Sequence, residues 1–210
     1  MSGTKEPKSY HHGDLRAALV VGAVDLIREE GAEGLSLRKV AKRVGVSHAA
    51  PYRHFEDLAA LVCAVADDGF RLLGDAMTEA LDDDPARSLA AIGRAYVRFA
   101  VGHPGHFQVM FRAHERKPPD LIESSSASFG VLVEVIRRGQ EAGQFAEGDP
   151  DILSLSAWSL VHGLASLLVS RVPVDKEGPA GQSREIGVDE ADTMARGVTE
   201  TLLTGVLRRS

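Results

Sequence analysis

Ser36-Leu37-Arg38-Lys39-Val40-Ala41-Lys42-Arg43-Val44-Gly45-Val46-Ser47-His48-Ala49-Ala50-Pro51-Tyr52-Arg53-His54-Phe55 is the stretch on which the fold turns. Ser36 is placed to cap a helix whose apolar face is Leu37, Val40, Ala41 and Val44. Gly45 offers the left-handed turn that reverses the chain, and Ser47 is placed to cap a short third helix running to about Phe55. Two capped helices around one tight glycine turn are the layout of a helix-turn-helix. Pro51 stands at the fourth position of the second helix, where its missing N–H is tolerable only in the first turn.

Outward from this stretch the chain reads as helical almost throughout. Leu15, Leu19, Ala23, Leu26 and Ile27 share one face of a first helix over about 14–30, stopped by Gly31. A helical period then holds through 57–81, predicting one long connecting helix. Asp84-Pro85, His103-Pro104-Gly105 and Lys117-Pro118-Pro119 punctuate further helices at about 86–101, 106–115 and 120–142. Residues 151–172 are apolar nearly all round and need cover on both sides. Residues 173–187, rich in Gly and Pro, read as a connector before a last amphipathic helix at 188–207. The expectation is an all-α chain of nine helices: a three-helix head at 1–56, with a flexible arm at 1–10, and a six-helix body at 57–210.

Charge divides along the same line. The chain carries a formal net charge of -6, yet residues 1–55 hold nine Lys or Arg against six Asp or Glu, while the rest holds fifteen against twenty-four. His11, His12, His48 and His54 add protonatable groups to the head only. A basic head on an acidic body implies that the head alone meets phosphate. No stretch approaches eighteen consecutive apolar residues, and the first ten lack the apolar run of a secretion signal, so the chain is expected in the cytoplasm and out of the membrane. The single cysteine, Cys63, lies on an apolar stripe and reads as packing.

Within the head, His48, Ala49 and Tyr52 are expected to point outward, since Val46, Ala50 and Phe55 face the other helices. His48 can bond a base edge, and Ala49 can touch a thymine methyl. Ser36, Ser47, Tyr52 and His54 suit phosphate oxygens, as Arg38, Lys39, Lys42 and Arg43 do by charge. Amides at the two helix N-termini can add to the grip. Lys5 and Lys8 lie on an arm that either reaches a groove or remains a solvated tail.

In the body, Phe70, Met77, Tyr96, Phe99, Phe107, Met110, Phe111, Phe129 and Trp158 either line an apolar ligand cavity or fill the core. His103, His106, His114 and His162 raise the question of metal or haem. No cysteine or paired carboxylate completes a ligand spacing, so no metal or cofactor is assigned. His103 and His162 are retained as ligand-facing candidates, His162 being either bonded within the protein or open to a ligand. No Gly-x-Ser-x-Gly, Walker, His-Glu-x-x-His or dinucleotide fingerprint nominates an enzyme. A ligand-binding protein whose head no longer binds DNA remains the alternative.

Ser36-Leu37-Arg38-Lys39-Val40-Ala41, Val44-Gly45-Val46-Ser47 and Tyr52-Arg53-His54-Phe55 resemble the TetR family of bacterial regulators, a likeness that spans about residues 10–65. Trp158-x-x-x-His162-Gly163, Tyr10-His11-His12-Gly13-Asp14-Leu15 and the run from Val46 to Tyr52 resemble one branch of it. The resemblance implies an all-α homodimer whose head binds double-stranded operator DNA and whose body receives a small-molecule effector. It also implies a dimer interface made by the helices near 151–172 and 188–207, with Trp158 and the Leu-rich face of the first of them expected near its centre. Two departures stand out: Ala49 where many relatives have Gly, and Glu56-Asp57-Leu58 where many have Lys, which leaves one phosphate contact of the family without its lysine.

Overall fold

The computed structural model describes residues 12–112, 117–170 and 186–206. Among them are eight α-helices and no strand. The arm at 1–10, His11, His114 and nearly all of the 173–187 connector lie outside the described residues, and nothing of the His12 side chain is described.

Helix α1 (His12–Glu30) buries Leu19, Ala23, Leu26 and Ile27, and ends where Gly31, at φ 80°, donates its N–H to the Ile27 carbonyl. A 3-10 turn at Ala32–Gly34 leads to α2 (Leu37–Val44). The Ser36 hydroxyl accepts from the Lys39 N–H at its start. At its end Gly45, at φ 77°, donates to Lys42, and Val46 donates to Ala41 at 3.0 Å. That double closure lets the chain turn within two residues.

The third helix expected at 47–55 is not an α-helix. Residues 48–50 form a turn and Pro51–Arg53 a single 3-10 turn without a side-chain cap. Pro51 has no N–H to offer the Ser47 carbonyl, so that carbonyl takes the Ala50 N–H instead, at 3.0 Å, and the spacing tightens from four residues to three. The segment recovers at its end, where Phe55 donates to the Pro51 carbonyl at 2.9 Å.

The body comprises α3 (Leu58–Glu79), α4 (Pro85–Gly102), α5 (Pro104–Met110), α6 (Pro119–Glu141), α7 (Pro150–Val169) and α8 (Val188–Val206). Asp57, Asp84 and Asp149 each cap a helix by accepting an N–H from its first turn. Helix α4 is central, packed by α3, α6, α7 and α8. Arg94 on α4 grips Asp192 on α8 through two hydrogen bonds of 3.0 and 2.7 Å, which hold the Asp192 carboxyl below the usual carboxylate range. The α6–α7 connection folds back on itself, with the Phe145 ring against Gly139 so closely that a Cβ there would overlap it.

The head is packed against the body. Gly105 on α5 lies so near the Val24 carbonyl of α1 that a Cβ would come within 2.6 Å of it. Helix α3 starts three residues after Phe55 and runs about 33 Å into the body, so one rigid element touches both.

Candidate DNA-binding face and ligand cavity

The 3-10 segment turns its apolar residues inward and leaves polar ones outside. Pro51 and Phe55 are buried, and Ala50 and His54 are half-buried. Ser47, His48, Ala49, Tyr52 and Arg53 are exposed, Tyr52 at 56%. The Arg16 guanidinium stacks on the Phe55 ring at 5.4 Å, pinning the end of the segment to α1. The outward set His48, Ala49 and Tyr52 is therefore the one expected from the sequence. Arg53 joins it, a residue that sequence reasoning passes over because it sits among motif residues without a pattern of its own.

The four cations of α2 are all exposed but not alike. Lys39 places its Nζ 2.7 Å from Glu30 and 2.8 Å from the Gly34 carbonyl. Arg43 forks onto both oxygens of Glu29, and that hydrogen bond lowers the Glu29 pKa and raises that of Arg43. Arg38 and Lys42 form no ion pair among the described residues. Of the α2 cations, Arg38 and Lys42 are thus the ones available to a polyanion, and Arg53 is a further exposed cation on the segment that carries His48 and Tyr52.

In the body a cavity of about 300 Å³ opens between α3, α4, α6 and α7, with Leu202 of α8 also in its wall. Of the expected residues Phe70, Met77, Tyr96, Phe111, Phe129 and Trp158 line it, together with Leu89, Ile92, Leu132, Ala157 and Val161. The other expected residues do not. Phe99 and His103 stack on each other and face a separate groove between α3, α4 and α8. Phe107 and His162 sit on the far side of Phe111. Met110 is buried, with its thioether against Gly69.

His162 is nevertheless tied to the cavity wall. Trp158 Nε1–H can only donate, so the buried Tyr96 oxygen accepts it at 3.2 Å. The Tyr96 hydroxyl is hydrogen-bonded to His162 Nδ1 at 2.7 Å, and donates to it when the imidazole is neutral with its proton on Nε2. Burial favours the neutral form, pushing the His162 pKa down and the Tyr96 phenol up. The Trp-x-x-x-His spacing, one turn of α7, is what puts both side chains on one phenol.

Trp158, expected near a dimer centre, lines the cavity. It shares the inward side of α7 with buried Ala157, Val161, Ala165 and Leu168. The opposite side, with Ile152, Ser156, Ser159, Gly163 and Leu167, is exposed. By length and composition alone α7 would suffice to cross a membrane. His106 is buried, with Nε2 3.0 Å from Asp68. No three His, Cys, Asp or Glu side chains come together to hold a metal among the described residues.

A polar, cation-flanked helix-turn-helix joined by one long helix to a cavity-bearing helical body defines a DNA-binding transcriptional regulator rather than an enzyme. Residues 19–65 match the family described as bacterial regulatory proteins, tetR family, and residues 89–190 match a tetracyclin repressor-like C-terminal domain. Over 161 residues the chain is 24% identical to the uncharacterized HTH-type transcriptional regulator YobS of Bacillus subtilis, spanning 76% of this chain and 81% of YobS. A solved protein of unknown function from Rhodococcus sp. RHA1 superposes with a TM-score of 0.77 at 32% identity, covering 96% of this chain and 100% of that one. The TetR-family regulator PfmR of Thermus thermophilus superposes at 0.70 with 21% identity, covering 96% and 100%. The chain belongs to the TetR family of transcriptional regulators.

Proposed function

We propose that the chain is a cytoplasmic, ligand-responsive repressor acting as a homodimer, with residues 1–56 as the DNA-binding domain and 57–210 as the effector-binding and dimerisation domain. One observation carries this reading: α3 begins at the DNA-facing segment and, twelve residues on, presents Phe70, then Leu73 and Met77, to the cavity. His48, Ala49 and Tyr52 read bases or sugar-phosphate, while Arg38 and Lys42 supply the main phosphate contacts. Ser36, Ser47 and His54 add hydroxyl and imidazole contacts, and Lys39 and Arg43 contribute only by giving up Glu30 and Glu29. An effector that fits the cavity better at one tilt of α3 than another changes the head spacing and releases the operator.

The exposed row Ile152, Leu155, Leu160 and Leu167, interspersed with Ser156, Ser159 and Gly163, is the face that a second copy covers together with α8. Two heads so joined stand about 34–36 Å apart and read a near-palindromic site. Sedimentation and a mobility-shift series on the DNA upstream of the gene test this. The expected results are a dimer at micromolar concentration, and a Leu167→Arg variant that is monomeric and binds about 100-fold or more weakly. A monomeric wild type, or Leu167→Arg with unchanged binding, overturns it.

A further inference from the structure

The chemistry of the cavity wall restricts what can enter it. Among the described residues no Asp, Glu, Lys, Arg or His side chain lines it. Four polar side chains do, and each has already committed its hydrogen. Trp158 Nε1–H goes to Tyr96, and with the His162 proton on Nε2 the Tyr96 hydroxyl goes to His162 Nδ1. The Ser125 hydroxyl donates to the Ile122 carbonyl at 3.0 Å and the Ser128 hydroxyl to the Ser125 carbonyl at 3.0 Å. What the wall still offers is lone pairs on the two serine oxygens, and otherwise hydrocarbon and aromatic faces.

An anion placed there finds no donor and no counter-charge, and an ammonium finds acceptors but no counter-charge; either forfeits its hydration without replacement. Size bounds the occupant as well. A dry, apolar cavity of about 150 Å³ accommodates one benzene, and this one is about 300 Å³. Phe129, 37% exposed while lining the cavity, marks its mouth, with its ring edge-on to Trp158 at 6.3 Å.

Resting on the reading that the cavity receives the effector, we propose that this effector is an uncharged, mainly apolar molecule about twice the size of benzene, whose polar group donates a hydrogen bond to Ser125 or Ser128. Alcohols and phenols fit; carboxylates, phosphates and ammonium compounds do not.

Trp158 is the sole tryptophan of the chain, so its fluorescence reports occupancy directly. The test titrates the full-length protein with octan-1-ol, octan-2-one, octanoate and octylammonium, read by Trp158 emission and calorimetry, with operator binding followed in parallel. The expected result is one octan-1-ol per protomer, octan-2-one about tenfold weaker, and both ions at least about 100-fold weaker. Octanoate or octylammonium binding as tightly as the alcohol overturns the proposal, as does failure of octan-1-ol to bind; octan-2-one matching the alcohol overturns the donor requirement.

Ala157→Leu on α7 and Ser128→Leu on α6 each fill part of the cavity, and whichever retains wild-type helicity is expected to lose octan-1-ol binding. Retained binding in a folded variant places the molecule elsewhere and also overturns the proposal. Octan-1-ol binding as expected with operator affinity unchanged upholds the ligand class and counts against the coupling to the head. Operator release by octanoate does the reverse.

Discussion

The DNA-facing segment and the body cavity treat their polar groups in opposite ways. At 47–54 the chain spends a proline and a 3-10 turn to bury Pro51 and Phe55, leaving His48, Tyr52 and Arg53 in solvent beside Arg38 and Lys42. In the cavity the polar atoms are turned on one another, Trp158 to Tyr96 to His162, and the open surface is apolar. On the proposed roles, the surface that meets a polyanion keeps its donors available, whereas the one that meets a small apolar molecule consumes them internally.

The contrast predicts that substitutions in the two regions move different observables. His48→Ala removes an exposed side chain from both subunits, and a base-edge contact in each half-site is worth about 1–3 kcal/mol. Operator affinity is expected to fall about 30-fold or more with altered base preference, while thermal stability stays within about 0.5 kcal/mol. Competition binding and a melting curve check both halves. Loss of stability without loss of affinity would make His48 a structural residue.

Tyr96→Phe is expected to do the converse. Removing the hydroxyl leaves Trp158 Nε1–H and His162 Nδ1 without their partner in a buried wall, at a cost of about 1–3 kcal/mol. The melting temperature should drop by several degrees, and operator affinity at temperatures where the variant is folded should be unchanged. An unaltered melting temperature would show that the triad is not closed in solution.

The smallest effect is on pH. His162 and His103 are both held below the ordinary histidine value of 6.5, chiefly by burial. Between 6.5 and the depressed value the unfolded chain binds the proton and the folded chain does not. Their contribution to stability is therefore complete above pH 6.5 and declines as pH falls below it. Denaturant titrations at pH 7.5 and 5.5 should show this decline, reduced in His162→Gln. A wild type equally stable at both would contradict the neutral imidazole to which the Tyr96 hydroxyl donates.

The head is readable in nearly full detail because its determinants are local. Ser36, Gly45 and the apolar spacing of α2 act within a few residues, and the structure returns the cap and the left-handed turn where they are expected. The form of the third helix is legible only in part: Pro51 stands out as a fault, but its effect on the Ser47 carbonyl emerges only once the backbone is built. The body shows the limit of periodicity. An all-round apolar α7 says that two sides need cover but not which side holds the cavity, and Trp158 proves to be on the cavity side. Phe99, Met110 and Phe107 have the composition of cavity residues, yet only the crossing of α3, α4 and α5 decides that they face elsewhere. The pairing of Lys39 with Glu30 and Arg43 with Glu29 spans nine and fourteen residues, beyond any local pattern.

The salt dependence of operator binding in Lys42→Gln and Lys39→Gln tests the DNA-facing surface most directly. Lys42 is free of ion pairs among the described residues and occurs twice in a dimer, so its loss should flatten the log–log slope by about 1.8, at about 0.9 per phosphate contact. Lys39, engaged by Glu30 and the Gly34 carbonyl, should alter the slope by less than half as much. Equal slopes in both variants and the wild type would contradict the account, because duplex DNA would then be meeting another face of the protein or none.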